Sequence, residues 1–462
     1  MADLSLELVL SATGGRLSGP LAPDLFRGVS TDTRSLTQGS LFVALRGERF
    51  DGHDFIAAAF ASGAAAALIS TEVEAGGPLI VVPDTLLALG TIAASHRAAF
   101  SPKVIAVTGS TGKTSTKEMV TAILSQGWKT ARTPGNYNNE VGVPLALLDL
   151  DASYQAAVVE LAMRGRGQIQ YLTQMARPQV GIITNVGVSH LELLGSREAI
   201  AEAKSELLAG LPEDGVAVLN ADDAFFPLLV ERSPCRVVSF GHRPGADVTV
   251  DEIVVNQDGS TEFRLRGRWG EQRVTLAVGG RHHALNAAGA AAAAVAAGAD
   301  PAWIAPGLAS FVGAEQRSRI IHAPGGFIII DDCYNAAPDS MRAALELLED
   351  MPGERKWAVL GDMRELGPLA PEWHREIGEL AGASGIAGLV TVGELGHYLA
   401  EGARRLLAGD QVIETGSNSE AVAALLAQLA PGDIVLVKGS RLMRMEDIVS
   451  QLLGQESARS DA

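Results

Sequence analysis

Cysteine is nearly absent from this chain: its 462 residues include two, Cys235 and Cys333. Two widely separated thiols exclude a disulfide framework and fit a reducing compartment. Positive charge is also scarce, because 37 Lys and Arg face 54 Asp and Glu, for a formal net charge of −17. That balance argues against a nucleic-acid or anionic-membrane binder, since either wants a basic face. A local cluster of Arg and Lys still serves an anionic small molecule. Long apolar runs are missing too: the longest, 287–299, is almost all Ala and Gly and too short to span a bilayer. The opening "MADLSLELVL" has two acidic residues and no basic region, so no signal peptide is expected. These absences point to a cytoplasmic protein with no membrane insertion and no nucleic-acid partner.

Hydrophobic residues make up 47% and charged residues 20%, enough for substantial cores. The length suggests about three domains. Residues 1–101 alternate β-like runs ("SLFVAL", "PLIVVP") with an Ala-rich helical pattern, "DFIAAAFASGAAAAL". "HRAAFSPKV" ends a helix near Pro102 and marks the first boundary. In 102–311 the apolar runs "VIAVT", "AAVVELA", "VGIITNV", "GVAVLN" and "RVVSF" alternate with helices. Continuous apolar strands with helical crossovers predict a parallel sheet covered on both faces. Residues 247–278 read instead as antiparallel strands around "NQDGS", and a long Ala-rich helix follows over 282–298. A third α/β unit, 312–462, carries strands "GFIIID", "KWAVLG", "GLVTVG" and "DIVLVKG" and ends in a short polar tail. The predicted class is α/β in three domains.

"VTGSTGKTST" (107–116) lies between a strand and a helix whose stripe is Met119, Val120, Ile123 and Leu124. A strand-to-helix turn leaves N–H groups unpaired where the helix dipole favours an anion. Gly109 and Gly112 let the backbone wrap phosphate oxygens, with Ser110, Thr111 and Ser115 completing the loop. Lys113 then reaches the outer phosphates and the Thr114 hydroxyl a Mg²⁺ ion. Val107 stands where the full Walker pattern has glycine, so this is a shortened form that an ordinary glycine turn also matches. A kinase, a GTPase switch, a motor and a ligase can all share such a loop.

Other strand ends carry polar residues. Glu160 closes "AAVVELA" and His190 follows "VGIITNV", so both could face the crevice beyond the strand ends and hold a divalent cation. A strand-end ion pair and a packed histidine are the plain alternatives. Lys204, between Glu202 and Glu206, reads from pattern as a solvated helix lysine. "TPGNYNNEVGVP" (133–144) is a structured loop whose asparagines bond a substrate or hold turns. "IIIDDCYNAAP" puts two aspartates at a strand end, where carboxylates bind ribose or stay solvated. "VLVKGSR" ends a strand with Lys438 and Arg441, a pair suited to an anionic group.

In their order, these segments resemble the Mur ligase family of peptidoglycan synthesis, over nearly the whole chain. The motifs are "STDTRSLTQGSLFVALRGERFDGHDF" (30–55), "TGSTGKTST", "TPGNYNNEVGVPLALL", "TNVGVSHLELLGSREAIAEAKSEL", "DDCYNAAPDSM", "GDMRELG" and "KGSR". The asparagine block and "DDCYNAAPDSM" are similar to the member that adds D-alanyl-D-alanine to UDP-N-acetylmuramoyl-tripeptide. The resemblance implies a small N-terminal unit holding the UDP end of the substrate through Ser30, Thr31, Asp32, Arg34, Gly47, Asp51, Gly52 and His53. It implies a central ATP-binding unit and a Rossmann-like C-terminal unit. ATP would meet Lys113 and Thr114, adenine Asn286, ribose Asp332, and Arg317 would reach in from the third unit, with Arg319 as alternative. Two Mg²⁺ ions would be held by Thr114, Glu160, His190 and a carbamylated Lys204, and Asn138, Asn139, Asn335, Lys438 and Arg441 would serve the acceptor and peptide. A monomer is expected. The chain departs from the family at His283 (usually Asn), Ala337 (Asn), Ala162 (Gly) and Gln168 (Glu).

Overall fold

The computed structural model describes residues 3–21, 24–71, 73–74 and 76–454, so the polar tail lies outside the described residues. The chain forms three α/β units, each around its own sheet. The first is five-stranded in the order Arg16–Ser18, Leu79–Val81, Ala66–Ile69, Leu41–Val43, Val29–Ser30, parallel except at the Arg16–Ser18 edge. The Ala-rich segment expected as one helix is divided. Helix Ile56–Ala61 stops short of Gly63 (φ 98), and Ala66–Ile69 is a buried strand. Pairing on both sides with Leu41–Val43 and Leu79–Val81 outweighs alanine's helix propensity there.

The central sheet has nine strands. Thr130–Arg132, Ala156–Glu160, Lys103–Thr108, Val180–Ile183, Val216–Asn220, Arg236–Gly241 and Val248–Val255 run parallel. Thr261–Gly267 and Gly270–Leu276 then fold back antiparallel. The inner parallel strands are largely apolar because helices cover both faces: Val104 to Val107 are fully buried, as are Met119, Val120, Ile123 and Leu124. Helix Arg281–Ala297 lies along the sheet, and its small side chains permit close approach. A Cβ on Gly289 would stand 3.0 Å from Phe240 Cζ. Lys103–Thr108 is flanked by Ala156–Glu160 on one side and Val180–Ile183 on the other, with Glu160 opposite Val107 and Ile183 opposite Thr108. The strand order reverses here, so three strand ends converge on one crevice.

The third sheet runs Arg319–His322, Ile328–Asp331, Ile434–Lys438, Lys356–Gly361, Gly388–Val392, Val412–Thr415, parallel except for its first strand. Its two edge strands escape a hydrophobic-run reading because they are half-exposed. Polar contacts tie this unit to the central one: Arg281 to Asp350 (2.7 Å) and His190 Nδ1 to Glu365 Oε2 (2.7 Å). The Glu192 N–H also donates to the Glu365 carbonyl (3.3 Å). His96 and Arg97, at the end of helix Thr85–Ala98, contact the Leu150 and Ala176 carbonyls and anchor the first unit.

Candidate active site

The loop after Lys103–Thr108 leads into helix Lys113–Leu124 with Gly109 at φ 153 and Gly112 at φ 77. A Cβ on Gly112 would lie 2.6 Å from Asn286 Oδ1, and one on Gly109 would overlap Thr184 Oγ1. Positive φ and crowding together require glycine. The neighbouring strand end braces the loop. Thr111 N–H donates to Asn185 Oδ1 (2.9 Å), Ser110 N–H to the Asn185 carbonyl (3.0 Å) and Gly187 N–H to Ser110 Oγ (2.8 Å). Lys113 Nζ folds over the loop, donating to the Gly109 (2.8 Å) and Ser110 (3.1 Å) carbonyls. Burial lowers its pKa while Glu160 opposes the shift.

The loop, the strand ends and the third unit enclose a cleft of about 410 Å³. Ser110, Thr111, Gly112, Lys113, Thr114, Ser115, Glu160, His190 and Asn286 line it from the central unit, and Asn138 joins them. Arg317, Asp332, Asn335 and Lys438 line it from the third unit. Sequence-distant residues proposed for one nucleotide therefore share one cavity. Arg319, the alternative to Arg317, is exposed in an edge strand and does not line it. A shallower depression of about 550 Å³ adjoins the cleft at His282 and Leu285 but has no phosphate loop.

Glu160 is 2% exposed. Asn138 Nδ2 donates to its Oε1 (2.9 Å), Lys117 Nζ stands 3.8 Å from its Oε2, and Oε2 has no hydrogen-bond partner among the described residues. A buried carboxylate oxygen so placed is costly unless it takes a cation or donor. His190 sits in the left-handed region (φ 66) and holds Glu365, whose pKa this contact lowers. With Nδ1 turned toward the Glu365 carboxylate, Nε2 is left for another ligand, the arrangement common for metal-bound histidine. Among the described residues no group of three His, Cys, Asp or Glu side chains forms a metal site. Magnesium, which keeps waters and substrate phosphates in its shell, fits the smaller set of Thr114, Glu160 and His190.

Lys204 corrects the pattern reading. Helix Arg197–Ala209 turns Ala203, Lys204, Leu207 and Leu208 inward, leaving Lys204 2% exposed. Its flanking acids look elsewhere: Glu202 pairs with Arg232 (2.8 Å) and Glu206 accepts from Gly167 N–H (2.7 Å). Burial, then Lys113, holds the Lys204 pKa well below its ordinary value against the opposing pull of Asp223.

Several proposed binding residues have structural employment. Asn139 Oδ1 accepts from Gly142 N–H (2.9 Å) and braces the turn that enters helix Gly142–Leu148. Lys438 Nζ donates to Asp332 Oδ2 (2.6 Å) and the Asn335 carbonyl (3.0 Å), so it braces the "DDCYN" loop. Arg441 lies outside the cleft, bound to Gln316 (3.1 Å) and Glu446 (2.9 Å), because the turn after "VLVKGS" carries it outward. His283, in the family's asparagine position, is 3% exposed with neither ring nitrogen hydrogen-bonded among the described residues, and burial lowers its pKa well below the ordinary value. The first unit's residues lie apart from the cleft. Asp32 pairs with Arg34 (2.9 Å), and Ser30 Oγ donates to the Asp32 carbonyl (2.8 Å), in a turn that includes Thr31. Gly47 N–H donates to the Phe50 carbonyl (2.9 Å), and Gly52 packs its bare Cα on Leu45. Asp51 Oδ1 accepts from His53 N–H (3.0 Å) and Nδ1 (2.5 Å), which lowers its pKa to about 2. Ser70 N–H donates to His53 Nε2 (3.0 Å), so both His53 ring nitrogens are occupied within the protein.

Sequence reasoning missed Asn185, Lys117, Asp339 and Glu365. Asn185 lies within the run read as "VGIITNV", just past the strand's observed end at Ile183, and that strand-end position was the available signal. The others become visible only through contacts between distant segments.

Three family models match the chain: the Mur ligase family, catalytic domain, over 25–97; the Mur ligase middle domain over 107–294; and the Mur ligase, glutamate ligase domain, over 316–441. UDP-N-acetylmuramoyl-tripeptide–D-alanyl-D-alanine ligase of Bacillus subtilis is 38% identical over 98% of this chain and 99% of its own. MurF from Acinetobacter baumannii superposes with a TM-score of 0.92 at 34% identity, over 98% and 100% of the two chains. MurF ligase from Thermotoga maritima, solved in complex with ADP, gives 0.82 at 30% identity, over 93% and 97%. With its cleft so built and these likenesses end to end, the chain belongs to the Mur ligase family.

Proposed function

We propose that this protein joins the amine of D-alanyl-D-alanine to the C-terminal carboxylate of UDP-N-acetylmuramoyl-tripeptide, driven by ATP, in peptidoglycan precursor synthesis. The observation that carries the reading is the single cleft in which a phosphate loop, a buried carboxylate with one unpartnered oxygen and residues of two units face one another. The names of the full-length relatives support the choice of substrates.

A carboxylate is a poor electrophile, because its charge is delocalised and hydroxide leaves badly. Transfer of the γ-phosphoryl group gives a mixed anhydride; the amine attacks its carbonyl carbon, and the tetrahedral adduct expels phosphate. Two anions must meet in the first step, so catalysis is mainly charge neutralisation and alignment. The loop N–H groups and Lys113 hold the phosphates, with Ser110, Thr111 and Ser115 shaping the cradle. Asn286 contacts adenine, Asp332 the ribose, and Arg317 reaches the nucleotide from the third unit. Thr114, Glu160 and His190 would hold Mg²⁺, which would supply positive charge to the phosphate oxygens. Lys204, in which burial favours the uncharged amine, would react with CO₂ to release a proton and give a carbamate, an anion suited to a second Mg²⁺ ion. Asn138 and Asn335 face the peptide. Residues 30–34 and 46–53 bind the UDP end, within a first domain of 1–101; domains 102–311 and 312–462 close on ATP to exclude water. The protein acts as a cytoplasmic monomer.

The test supplies ATP, Mg²⁺, UDP-N-acetylmuramoyl-tripeptide and D-alanyl-D-alanine, then measures product mass and phosphate release. The expected result is the UDP-linked pentapeptide with one phosphate per product. A phosphorylated hydroxyl with no free phosphate would make the protein a kinase and end the reading.

A further inference from the structure

Four carboxylates line the cleft: Glu160, Asp332, Asp339 and Glu365. Three are engaged. Asp332 holds Lys438 (2.6 Å) and accepts from Ser318 N–H (3.1 Å), Glu365 holds His190 (2.7 Å), and Glu160 accepts from Asn138 (2.9 Å). Glu160 Oε2 and Asp339 Oδ2 are both buried with no hydrogen-bond partner among the described residues, but Glu160 has Asn138 on its other oxygen and Lys117 3.8 Å away, whereas no ion pair among those residues engages Asp339. A Cβ on Gly187 would overlap Asp339 Oδ2 and would stand 3.2 Å from Ser110 Cβ. The carboxylate therefore rests at the phosphate-loop end of the cleft, brought there by the third unit's helix Pro338–Asp350.

The cleft's cations, Lys113, Arg164, Arg317 and Lys438, suit the anionic substrates and repel an ammonium. An amine acceptor enters mostly protonated at neutral pH and has to lose that proton before its lone pair can attack. We propose that Asp339 binds the acceptor's ammonium and takes its proton. The carboxylate becomes an acid and the ammonium an amine. Its lone pair forms the new C–N bond, the C–O bond to phosphate breaks, and the second proton leaves with inorganic phosphate. The proposal rests on the ligase reading above.

The test compares wild type with Asp339→Asn and Asp339→Glu, varying each substrate in turn across pH. Loss of one charged hydrogen bond predicts a roughly 10- to 100-fold fall in kcat/KM for D-alanyl-D-alanine in Asp339→Asn. Values for ATP and the UDP-tripeptide should hold, and Asp339→Glu should recover part of the loss. The Asp339→Asn rate should climb with pH toward the free α-amine range, about 8. Hydroxylamine trapping without acceptor reports acyl-phosphate formation, which should match wild type, as should thermal melting. Unchanged acceptor kinetics, or a shift in Mg²⁺ requirement in their place, overturns the assignment while leaving the ligase reading intact. Absence of trapped hydroxamate from the wild type overturns both.

Discussion

Replacing Gly112 by alanine would place a methyl carbon 2.6 Å from Asn286 Oδ1 in a backbone at φ 77. Two costs follow. An L residue in the left-handed region loses about 1–2 kcal/mol, and Asn286 must retreat about 0.8 Å to reach an ordinary 3.4 Å contact. Asn286 is the residue proposed to read adenine, and a displacement near 1 Å costs up to about 100-fold in rate. The expected outcome is a fall in kcat/KM for ATP on the order of 10- to 100-fold. Calorimetric affinity for the UDP-tripeptide should be preserved, because the site proposed for it belongs to another unit. Melting temperature should drop by a few degrees. If the damage runs through Asn286, the Gly112→Ala, Asn286→Ala double variant should be no worse than the poorer single variant. Additive losses, or an unaltered kcat/KM for ATP in Gly112→Ala, would refute the assignment of this contact to nucleotide binding.

Lys204→Met should abolish turnover yet raise the melting temperature in bicarbonate-free buffer. The lysine's folded pKa lies below its unfolded value of 10.5, so the folded state binds fewer protons and wild-type stability declines as pH falls from 10.5 toward the folded pKa; a melting temperature below wild type would contradict this. Asp51, whose pKa is about 2 when folded against 3.8 otherwise, contributes stability above 3.8 that is lost as pH falls through 2. Denaturant unfolding should therefore separate wild type from Asp51→Asn at pH 6 and show that gap closing by pH 2, and a pH-independent gap would argue against the His53 brace. Arg441→Ala should leave acceptor kinetics unchanged, since the side chain lies outside the cleft; a raised KM for D-alanyl-D-alanine would return Arg441 to the site.

Local chemistry alone determined the strand–loop–helix around Gly109 and Gly112, the parallel central sheet and the hairpin near 256–260. Each rests on short-range constraints: glycine at positive φ, apolar runs covered on both faces, a turn between alternating strands. Ordered motifs likewise named the family. Tertiary structure decided what one-dimensional pattern leaves ambiguous. Ala66–Ile69 became a strand because partners on both sides outweigh propensity, and Lys204 went inward because its helix turned that face to the sheet. Folding also sorted polar residues into those spent on bracing, such as Asn139, His53 and Lys438, and those left with an open valence, such as Glu160 and Asp339. That division depends on which donors arrive from distant segments, and a sequence holds that information only through the packing of the whole chain.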